Sequence, residues 1–253
     1  MLRPRIIPSL LIHNKGLVKT VKFSDPKYIG DPINAVRIFN EKEVDELIVV
    51  DIDASREKRG PNFDLIAKLA AECRMPLCYG GGVSTVEEAR RLISLGVEKV
   101  AISSAAINDP KIISKISEEI GKQSVVVVLD VKKKMLGNEV FIHNGTKGTG
   151  KSPVELAQLF QEMGAGEILI NSIDNDGLMK GYDLKLIEKI REVTSVPLTV
   201  LGGAGSLEDI SKLIEKFGII GAAAGSLFVF KGSYKAVLIN YPNTETKEKL
   251  FIK

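Results

Sequence analysis

Residues 76–96 read PLCYGGGVSTVEEARRLISLG, and residues 197–214, PLTVLGGAGSLEDISKLI, repeat the same pattern. In each copy a short apolar run is followed by glycines and then by the periodicity of an amphipathic helix. The first residues of the two copies are separated by about half of the 253-residue chain. The repeat therefore predicts a chain that is built from two similar halves.

The glycines of this repeated unit also indicate a binding function. Glycine lets backbone N–H groups approach a ligand closely, and the following helix directs its positive end to the same place. A tight strand-to-helix turn without a ligand would give the same pattern. Because the unit occurs twice, we expect two anion sites that face each other, and hence a ligand with two anionic groups.

Eight short apolar runs alternate with amphipathic stretches along the chain. Such Val/Ile/Leu runs are typical of parallel strands buried on both faces, with helices between them. Eight units of this kind fit an α/β fold of the (β/α)₈ TIM barrel type, made of two half-barrels and forming one domain over residues 1–253. A doubly wound open sheet is the alternative, and the repeat favours the barrel. The predicted strands are 5–12, 46–52, 76–80, 99–103, 124–130, 167–172, 197–202 and 219–225.

Two connections are longer than a tight turn requires. Residues 13–30 predict a basic loop, and loops of that length in compact domains are usually functional. Residues 131–150 predict a small hairpin that turns at residues 136–138. In a barrel both would lie at the active face. Capping-box patterns predict helix starts at residues 84–87 and 206–209.

Composition restricts the classes of function. The chain has 35 basic and 32 acidic residues, a net charge of +3 and 6% aromatic residues, so we expect no nucleic-acid partner. Cys73 and Cys78 have no metal-ligand spacing with histidines, which predicts reduced, buried thiols and neither a metal nor another cofactor. Because we find no cleavage signal and no long apolar run, we expect a cytoplasmic protein without a membrane partner.

Asp130 is the first candidate for catalysis. It ends the most apolar run of the chain, which would place its carboxylate at a partly dry barrel mouth, where acid–base work is favoured. A carboxylate that only orders a loop is the alternative. Superposing residues 6–12 on residues 125–131 puts Leu11 opposite Asp130. A leucine can neither donate nor accept a proton, so the pair lacks a second acid.

Four further aspartates follow the second and sixth predicted strands at repeated positions. For Asp176 and Gly177 we predict a turn that offers backbone donors to a ligand. Asp51 is predicted to contact a ligand or to organise its loop. The four aspartates are Asp51, Asp53, Asp174 and Asp176.

Charged residues stand at the first position of four predicted strands, at the opposite end of the barrel. Buried charges are costly unless they are paired, and two cations with two anions can form a neutral ring. The residues alone favour a salt-bridge plug that closes the barrel floor. The four residues are Arg5, Glu46, Lys99 and Glu167.

These residues together resemble HisF, the cyclase subunit of imidazole glycerol phosphate synthase, over about residues 1–230. The resemblance implies a (β/α)₈ barrel that binds a substrate with two phosphates and receives ammonia from a glutaminase, HisH, on its floor. The matching motifs are RIIPSL at 5, DELIVVDIDAS at 45, GGG at 80, Asp130, GAGEIL at 164, SIDNDG at 172, GYD at 181 and GGAG at 202.

The resemblance also assigns roles to single residues. It makes the ring of four charges an ammonia gate, Lys19 the lysine of a mobile first loop, and Asp130 one of two catalytic aspartates. The implied phosphate-binding residues are Gly82, Ser103 and Ser104 in one half and Asp176, Gly177, Gly203, Gly225 and Ser226 in the other.

Several positions depart from the family pattern. Leu11 occupies the place of the other catalytic aspartate, serines replace an asparagine and a threonine at 103 and 104, and Leu201 replaces a serine. The tail after Phe230 does not follow the family's last helix. Because loss of a general acid costs about a hundredfold to ten-thousandfold in rate, cyclisation of the histidine-pathway substrate is placed in question.

The departures resemble a paralogous group more closely. Those HisF-like proteins act with a HisH-like glutaminase and a separate sugar amidotransferase to form acetamidino groups on nucleotide-linked sugars for surface polysaccharides such as lipopolysaccharide. The barrel would then conduct ammonia and bind a phosphorylated ligand. Three alternatives remain: a cyclase of histidine biosynthesis in which another group replaces the acid, a non-catalytic scaffold, and a HisA-like sugar-phosphate isomerase.

Overall fold

Eight parallel strands form a closed ring in the computed structural model of the chain, which describes residues 3–135, 137–232 and 234–251. The last barrel strand pairs with the first, from Arg5 opposite Gly221 to Pro8 opposite Ala224. The predicted TIM barrel is confirmed, and the open sheet is excluded. Each predicted strand matches one barrel strand within two residues, except that the fifth continues into a hairpin.

The elements follow in chain order, and the ring consists of the first strand, the fourth to seventh and the tenth to twelfth. The strands are β1 (Arg5–His13), β2 (Gly16–Val21), β3 (Ser24–Gly30), β4 (Leu47–Asp51), β5 (Leu77–Gly80), β6 (Lys99–Ile102), β7 (Val125–Lys134), β8 (Gly137–Ile142), β9 (Lys147–Gly148), β10 (Glu167–Ser172), β11 (Leu198–Leu201), β12 (Gly221–Ala224), β13 (Phe230–Lys231) and β14 (Ala236–Val237).

Helices cover the outside of the ring, and short 3₁₀ turns lie at Lys122–Ser124 and Ile173–Asn175. The helices are α1 (Pro32–Glu41), α2 (Phe63–Glu72), α3 (Val86–Ser94), α4 (Ser104–Asn108), α5 (Lys111–Ile120), α6 (Pro153–Glu162), α7 (Leu184–Val193), α8 (Leu207–Phe217), α9 (Ser226–Val229) and α10 (Thr244–Phe251).

Two apolar layers stabilise the barrel. The larger layer lies between the strands and the helices and includes Phe39, Phe160 and Phe228. Burial of each such side chain contributes about 1.5–3 kcal/mol. A smaller layer fills the barrel interior, so the ring is packed rather than hollow at this level. The interior layer consists of Ile7, Ile48, Cys78, Ala101, Val126, Leu169 and Ala223.

The first long connection differs from its prediction. Residues 13–30 were expected to be a loop, and that expectation is wrong: β2 pairs antiparallel with β1, and β3 pairs with β2. Four consecutive residues of β2, Leu17 to Thr20, are buried although two of them are polar, so the alternation that marks a strand is missing from the sequence. The expected hairpin at 131–150 is confirmed by the β7–β8 pairing, while Leu136 lies outside the described residues.

Each of the two repeated helices, α3 and α8, begins with a capping box. The predicted box at Ser206 and Asp209 is confirmed. In the first copy the box is formed by Thr85 and Glu88, one residue later than predicted, because the Thr85 side chain accepts from the Glu88 N–H. The repeated glycines precede these helices.

Gly203 is a glycine that the fold requires. Its φ is +118°, and a Cβ at this position would overlap the carbonyl oxygen of Gly181, whose own N–H donates to Gly203 O at 2.8 Å. Gly203→Ala should therefore lower the free energy of unfolding by about 2–4 kcal/mol, measured by urea denaturation.

Gly218→Ala is the matched control for this prediction. Gly218 also has a positive φ, +67°, but nothing lies within 4 Å of its virtual Cβ. Its substitution should cost only about 1 kcal/mol of backbone strain. Equal losses in the two variants would show that close packing at Gly203 contributes nothing.

Candidate active site at the barrel mouth

A cavity opens at the carboxyl ends of the barrel strands, with about 1310 Å³ of space including its open mouth. The residues that the sequence assigns to catalysis, to phosphate binding and to the first loop line this cavity, whereas Asp53 and Asp174 do not. The individual roles of the lining residues stay predictions. The lining includes Lys19, Asp51, Gly82, Ser103, Ser104, Asp130, Asp176, Gly177, Gly203, Gly225 and Ser226.

Asp130 lies near the carboxyl end of the barrel part of β7. Asn171 stands opposite it on β10 and donates from Nδ2 to Asp130 Oδ1 at 3.0 Å. Burial raises the pKa of Asp130 to about 7; the Asn171 donor opposes this rise, and the charge of Asp176 adds to it. A carboxyl group that is half ionised at neutral pH suits proton transfer in either direction. Sequence reasoning missed Asn171, whose signal is a polar side chain at an inward position of EILINS.

Leu11 faces Asp130 across the mouth. The strand β1 is four places from β7 in either direction around the ring, and both residues line the cavity. Leu201, on β11, adds a second apolar side chain to the lining. The expected opposition of a carboxylate and an aliphatic side chain is thus confirmed in position.

The raised pKa of Asp130 makes stability depend on pH. The protonated Asp130 carboxyl group contributes to the free energy of unfolding. This contribution is fully present below the unfolded pKa of about 3.9 and is lost as pH rises through the folded pKa of about 7. Asp130→Asn should therefore nearly match the wild type at pH 4 and exceed its free energy of unfolding by about 4 kcal/mol at pH 8. Urea denaturation at both pH values measures this. A difference that is constant with pH would contradict the assignment.

The β2–β3 hairpin is fastened over the mouth by Asp176 and Gly177. Thr20 Oγ1 donates to Asp176 Oδ2 at 2.7 Å, and the N–H of Phe23 donates to the same oxygen at 3.2 Å. A Cβ at Gly177 would overlap the carbonyl oxygen of Thr20. The Asp176 N–H donates to Ser172 O at 3.0 Å, so this backbone donor is engaged within the turn, and the donation to a ligand stays a prediction. The turn thereby also anchors the hairpin.

Lys19 projects from this hairpin into the cavity. Its Nζ donates to the carbonyl oxygen of Ser9, and a Cβ at Gly225 would lie 2.6 Å from the same nitrogen. Burial lowers the pKa of Lys19 to about 8, and Asp176 opposes the shift. The hairpin therefore places a cation beside the predicted phosphate residues of the second half.

The remaining repeated aspartates organise loops. Asp51 accepts two bonds from Arg59, at 2.8 and 3.0 Å, and also binds the N–H of Asp53 at 3.0 Å. Asp53 Oδ1 lies 2.8 Å from His13 Nδ1. Asp174 accepts from the N–H of Lys133, near the turn of the β7–β8 hairpin, at 2.6 Å. Asp51 thus holds its own loop and also borders the cavity, so both predicted roles stay open to it.

The opposite end of the barrel carries the predicted neutral ring, here called the floor ring, of Arg5, Glu46, Lys99 and Glu167. Arg5 pairs with Glu46 and, at 2.8 Å, with Glu167. Lys99 lies 2.9 Å from each carboxylate. Although burial opposes it, Arg5 and Lys99 hold the pKa of Glu167 below its usual value. The predicted ion pairing is observed, and the roles of plug and gate stay predictions.

Thr199 completes the floor ring and was missed from the sequence. Its hydroxyl donates to Glu167, and Arg5 Nη2 approaches Thr199 Oγ1 at 3.3 Å. It is the inward polar residue of PLTVLG, and Cys78 is its counterpart in the other copy. The mouth cavity reaches down to Ile48, Ala101 and Leu169 of the interior layer. One apolar layer thus separates the cavity from the floor ring.

Among residues 3–135, 137–232 and 234–251, no three His, Cys, Asp or Glu side chains are placed to hold a metal ion. The helices found in the same ranges are too short or too polar to cross a membrane. Cys78 is fully buried and Cys73 only partly buried, and both are free thiols.

Comparison with known proteins agrees with this architecture. A model of the family described as histidine biosynthesis protein matches residues 5–235. A Leptospira interrogans protein provisionally named imidazole glycerol phosphate synthase subunit HisF is 62% identical over 99% of this chain and 100% of its own length.

More distant relatives carry related names. A Vibrio vulnificus protein, provisionally named imidazole glycerol phosphate synthase subunit hisF3, is 58% identical over 98% of this chain and 96% of its own. Imidazole glycerol phosphate synthase subunit HisF of Natranaerobius thermophilus is 40% identical over 95% and 96%, respectively. By the family match and by these identities, the chain belongs to the HisF family.

Proposed function

We propose that the chain is the barrel subunit of a glutamine-dependent synthase, which receives ammonia from a HisH-type glutaminase and uses it for imidazole glycerol phosphate synthase chemistry. The observation that carries the proposal is the alignment, along one axis, of the floor ring, the interior layer and the Asp130 carboxylate. The names of the relatives support this reaction better than they support the acetamidino alternative.

The floor ring would admit ammonia from the partner below. Four paired charges close the entrance, and a small rearrangement of one ion pair would open it. Above the ring, the packed apolar layer would have to part transiently to let ammonia through, and it favours neutral ammonia over ammonium, because an ion would lose its hydration without compensation. The barrel would therefore deliver the nucleophile in its reactive, unprotonated form.

The mouth would bind a ligand with two phosphates. The predicted residues Gly82, Ser103 and Ser104 follow β5 and β6, and Gly203 and Gly225 follow β11 and β12, on the other side of the ring. Ser103 Oγ is buried and, within the described residues, has no hydrogen-bond partner, as expected of a group that awaits a ligand.

Asp130 would carry out the proton transfers. Its ionised form accepts a proton from the attacking ammonia, and the protonated form can return it to a departing group. A pKa near 7 makes both forms available at neutral pH. Because Leu11 cannot share this work, Asp130 acts without a second carboxylate from β1.

One observation favours a second candidate function. Leu11 and Leu201 place two aliphatic side chains in the lining of the mouth, at positions where the family resemblance implies an aspartate and a serine, which suits a barrel that passes ammonia to another protein. In that function a separate amidotransferase would use the ammonia to form acetamidino groups on a nucleotide-linked sugar for surface polysaccharide. The floor ring and the interior layer would serve both functions equally.

The deciding experiment supplies the wild-type barrel with ammonium chloride and the family's bisphosphorylated aminoimidazole precursor. We expect consumption of the precursor that depends on ammonium. A folded barrel that consumes none would overturn the synthase reaction and leave ammonia transfer.

A second measurement tests what both candidates share. Glutaminase activity of the HisH-type partner should rise when the barrel is added. Charge reversal by Lys99→Glu should lower that stimulation, whereas reversal of the exposed Lys212→Glu should not. Absence of both binding and stimulation would remove ammonia transfer altogether.

A further inference from the structure

The C-terminal tail docks against the edge of the barrel floor. The Tyr241 ring packs on Phe228 with 5.3 Å between ring centroids, and helix α10 packs on α8. Lys247, on α10, donates from Nζ to Asp45 Oδ1 at 2.8 Å. We call Tyr241, Lys247 and Asp45 the tail clamp. It lies at the starts of β1 and β4.

The tail clamp ties these two strand starts together. The Tyr241 hydroxyl donates to the carbonyl oxygen of Ile6 at 2.8 Å and accepts from the N–H of Asp45 at 3.2 Å. Asp45 Oδ2 in turn accepts from the N–H of Ile6 at 2.9 Å. Ile6 and Asp45 are therefore joined both directly and through the tail.

The ion pair of the tail clamp is buried. The side chains of Lys247 and Asp45 are 8% and 4% exposed. A buried charge is costly without its partner, so this pair holds α10 in place. On the same helix the Lys249–Glu245 pair is 74% exposed at both ends and contributes little.

Ile6 and Asp45 are the chain neighbours of Arg5 and Glu46, the ion pair on one side of the floor ring. Fixing the two backbones fixes the separation of the two charges. We propose that the tail clamp holds this side of the floor ring closed, with Tyr241 and Lys247 as its positioning residues. This inference rests on the proposed function, because it treats the floor ring as a gate.

Cys78 lies inside the barrel, and modification of its thiol can report opening of the floor. It is buried in the interior layer, and the charges of the floor ring act directly on its thiol. Burial, followed by the charges of Glu46 and Glu167, raises the pKa of Cys78 well above its ordinary value. A thiol in this state reacts slowly until an opening exposes it.

The test measures how fast methyl methanethiosulfonate modifies Cys78 in the full chain carrying Cys73→Ser. Tyr241→Phe and Lys247→Met should each raise the rate about tenfold, since each removes a contact that opposes local opening. Lys249→Met, the matched change at the exposed pair, should leave the rate unchanged. Lys99→Met, which breaks the floor ring directly, should raise it at least as much as the tail variants.

Low concentrations of urea separate local opening from unfolding. A rate that is nearly independent of urea below the unfolding transition supports the tail clamp, because local opening exposes little surface. Unchanged rates in Tyr241→Phe and Lys247→Met, or rates that rise steeply with urea, would overturn it. The measurement needs no turnover, so its failure is distinct from failure of the proposed reaction.

Discussion

Asp130→Asn should lower the ammonium-dependent turnover of the precursor by about a hundredfold to ten-thousandfold. The amide keeps the shape of the side chain and can still accept the bond from Asn171 Nδ2, but it cannot take up a proton. The measurement is kcat at saturating ammonium and precursor. Because the variant should be at least as stable as the wild type at pH 8, unfolding would not account for the loss.

Asp174→Asn is the matched control for this loss. Asp174 lies in the 3₁₀ turn after β10 and also accepts a hydrogen bond, from the N–H of Lys133, but it binds a hairpin rather than bordering the cavity. Its turnover should stay within a few-fold of the wild type. Equal effects of the two substitutions would contradict a proton-transfer role for Asp130.

Leu11→Asp should raise turnover by about tenfold to a hundredfold over the wild type. The new carboxylate would face Asp130 across the mouth, so that one group can act as an acid while the other acts as a base. Two facing carboxylates also repel each other, which pushes their pKa values apart. The measurement is kcat for the precursor with ammonium as the nitrogen source.

Leu11→Asn separates proton transfer from polarity in this experiment. It has nearly the same size as Leu11→Asp and the same hydrogen-bonding reach, but it does not titrate. Its turnover should remain near that of the wild type. A gain shared by both variants would mean that polarity, rather than a second acid, limits the mouth.

The barrel itself could be predicted because its strands are buried on both faces. An uninterrupted apolar run, such as the one before Asp130, can be recognised as a buried strand without knowing which strands lie beside it. The β2–β3 hairpin could not be predicted in the same way. Its position depends on hydrogen bonds from Thr20 and Phe23 to Asp176, 156 and 153 residues away in the chain.

The residues of the candidate site likewise divide into those that the sequence could place and those that it could not. Residues at strand ends must gather at one face of a barrel, so the position of Asp130 and of the repeated glycines follows from the strand pattern. The contacts between side chains of neighbouring strands do not follow from the strand pattern. Asn171 reaches Asp130 only through the register of β10 against β7. Tyr241 reaches Ile6 across 235 residues, in a tail with no repeat to compare it with.

The central claim, that Asp130 transfers protons for ammonia delivered to the barrel mouth, is tested most directly by the pH dependence of turnover at a constant concentration of free NH₃. The account predicts a rate that rises through an ionisation near pH 7 and then levels off, as the Asp130 carboxyl group ionises. A wild-type rate that is flat between about pH 5.5 and 8.5, or no turnover at any pH, would contradict it.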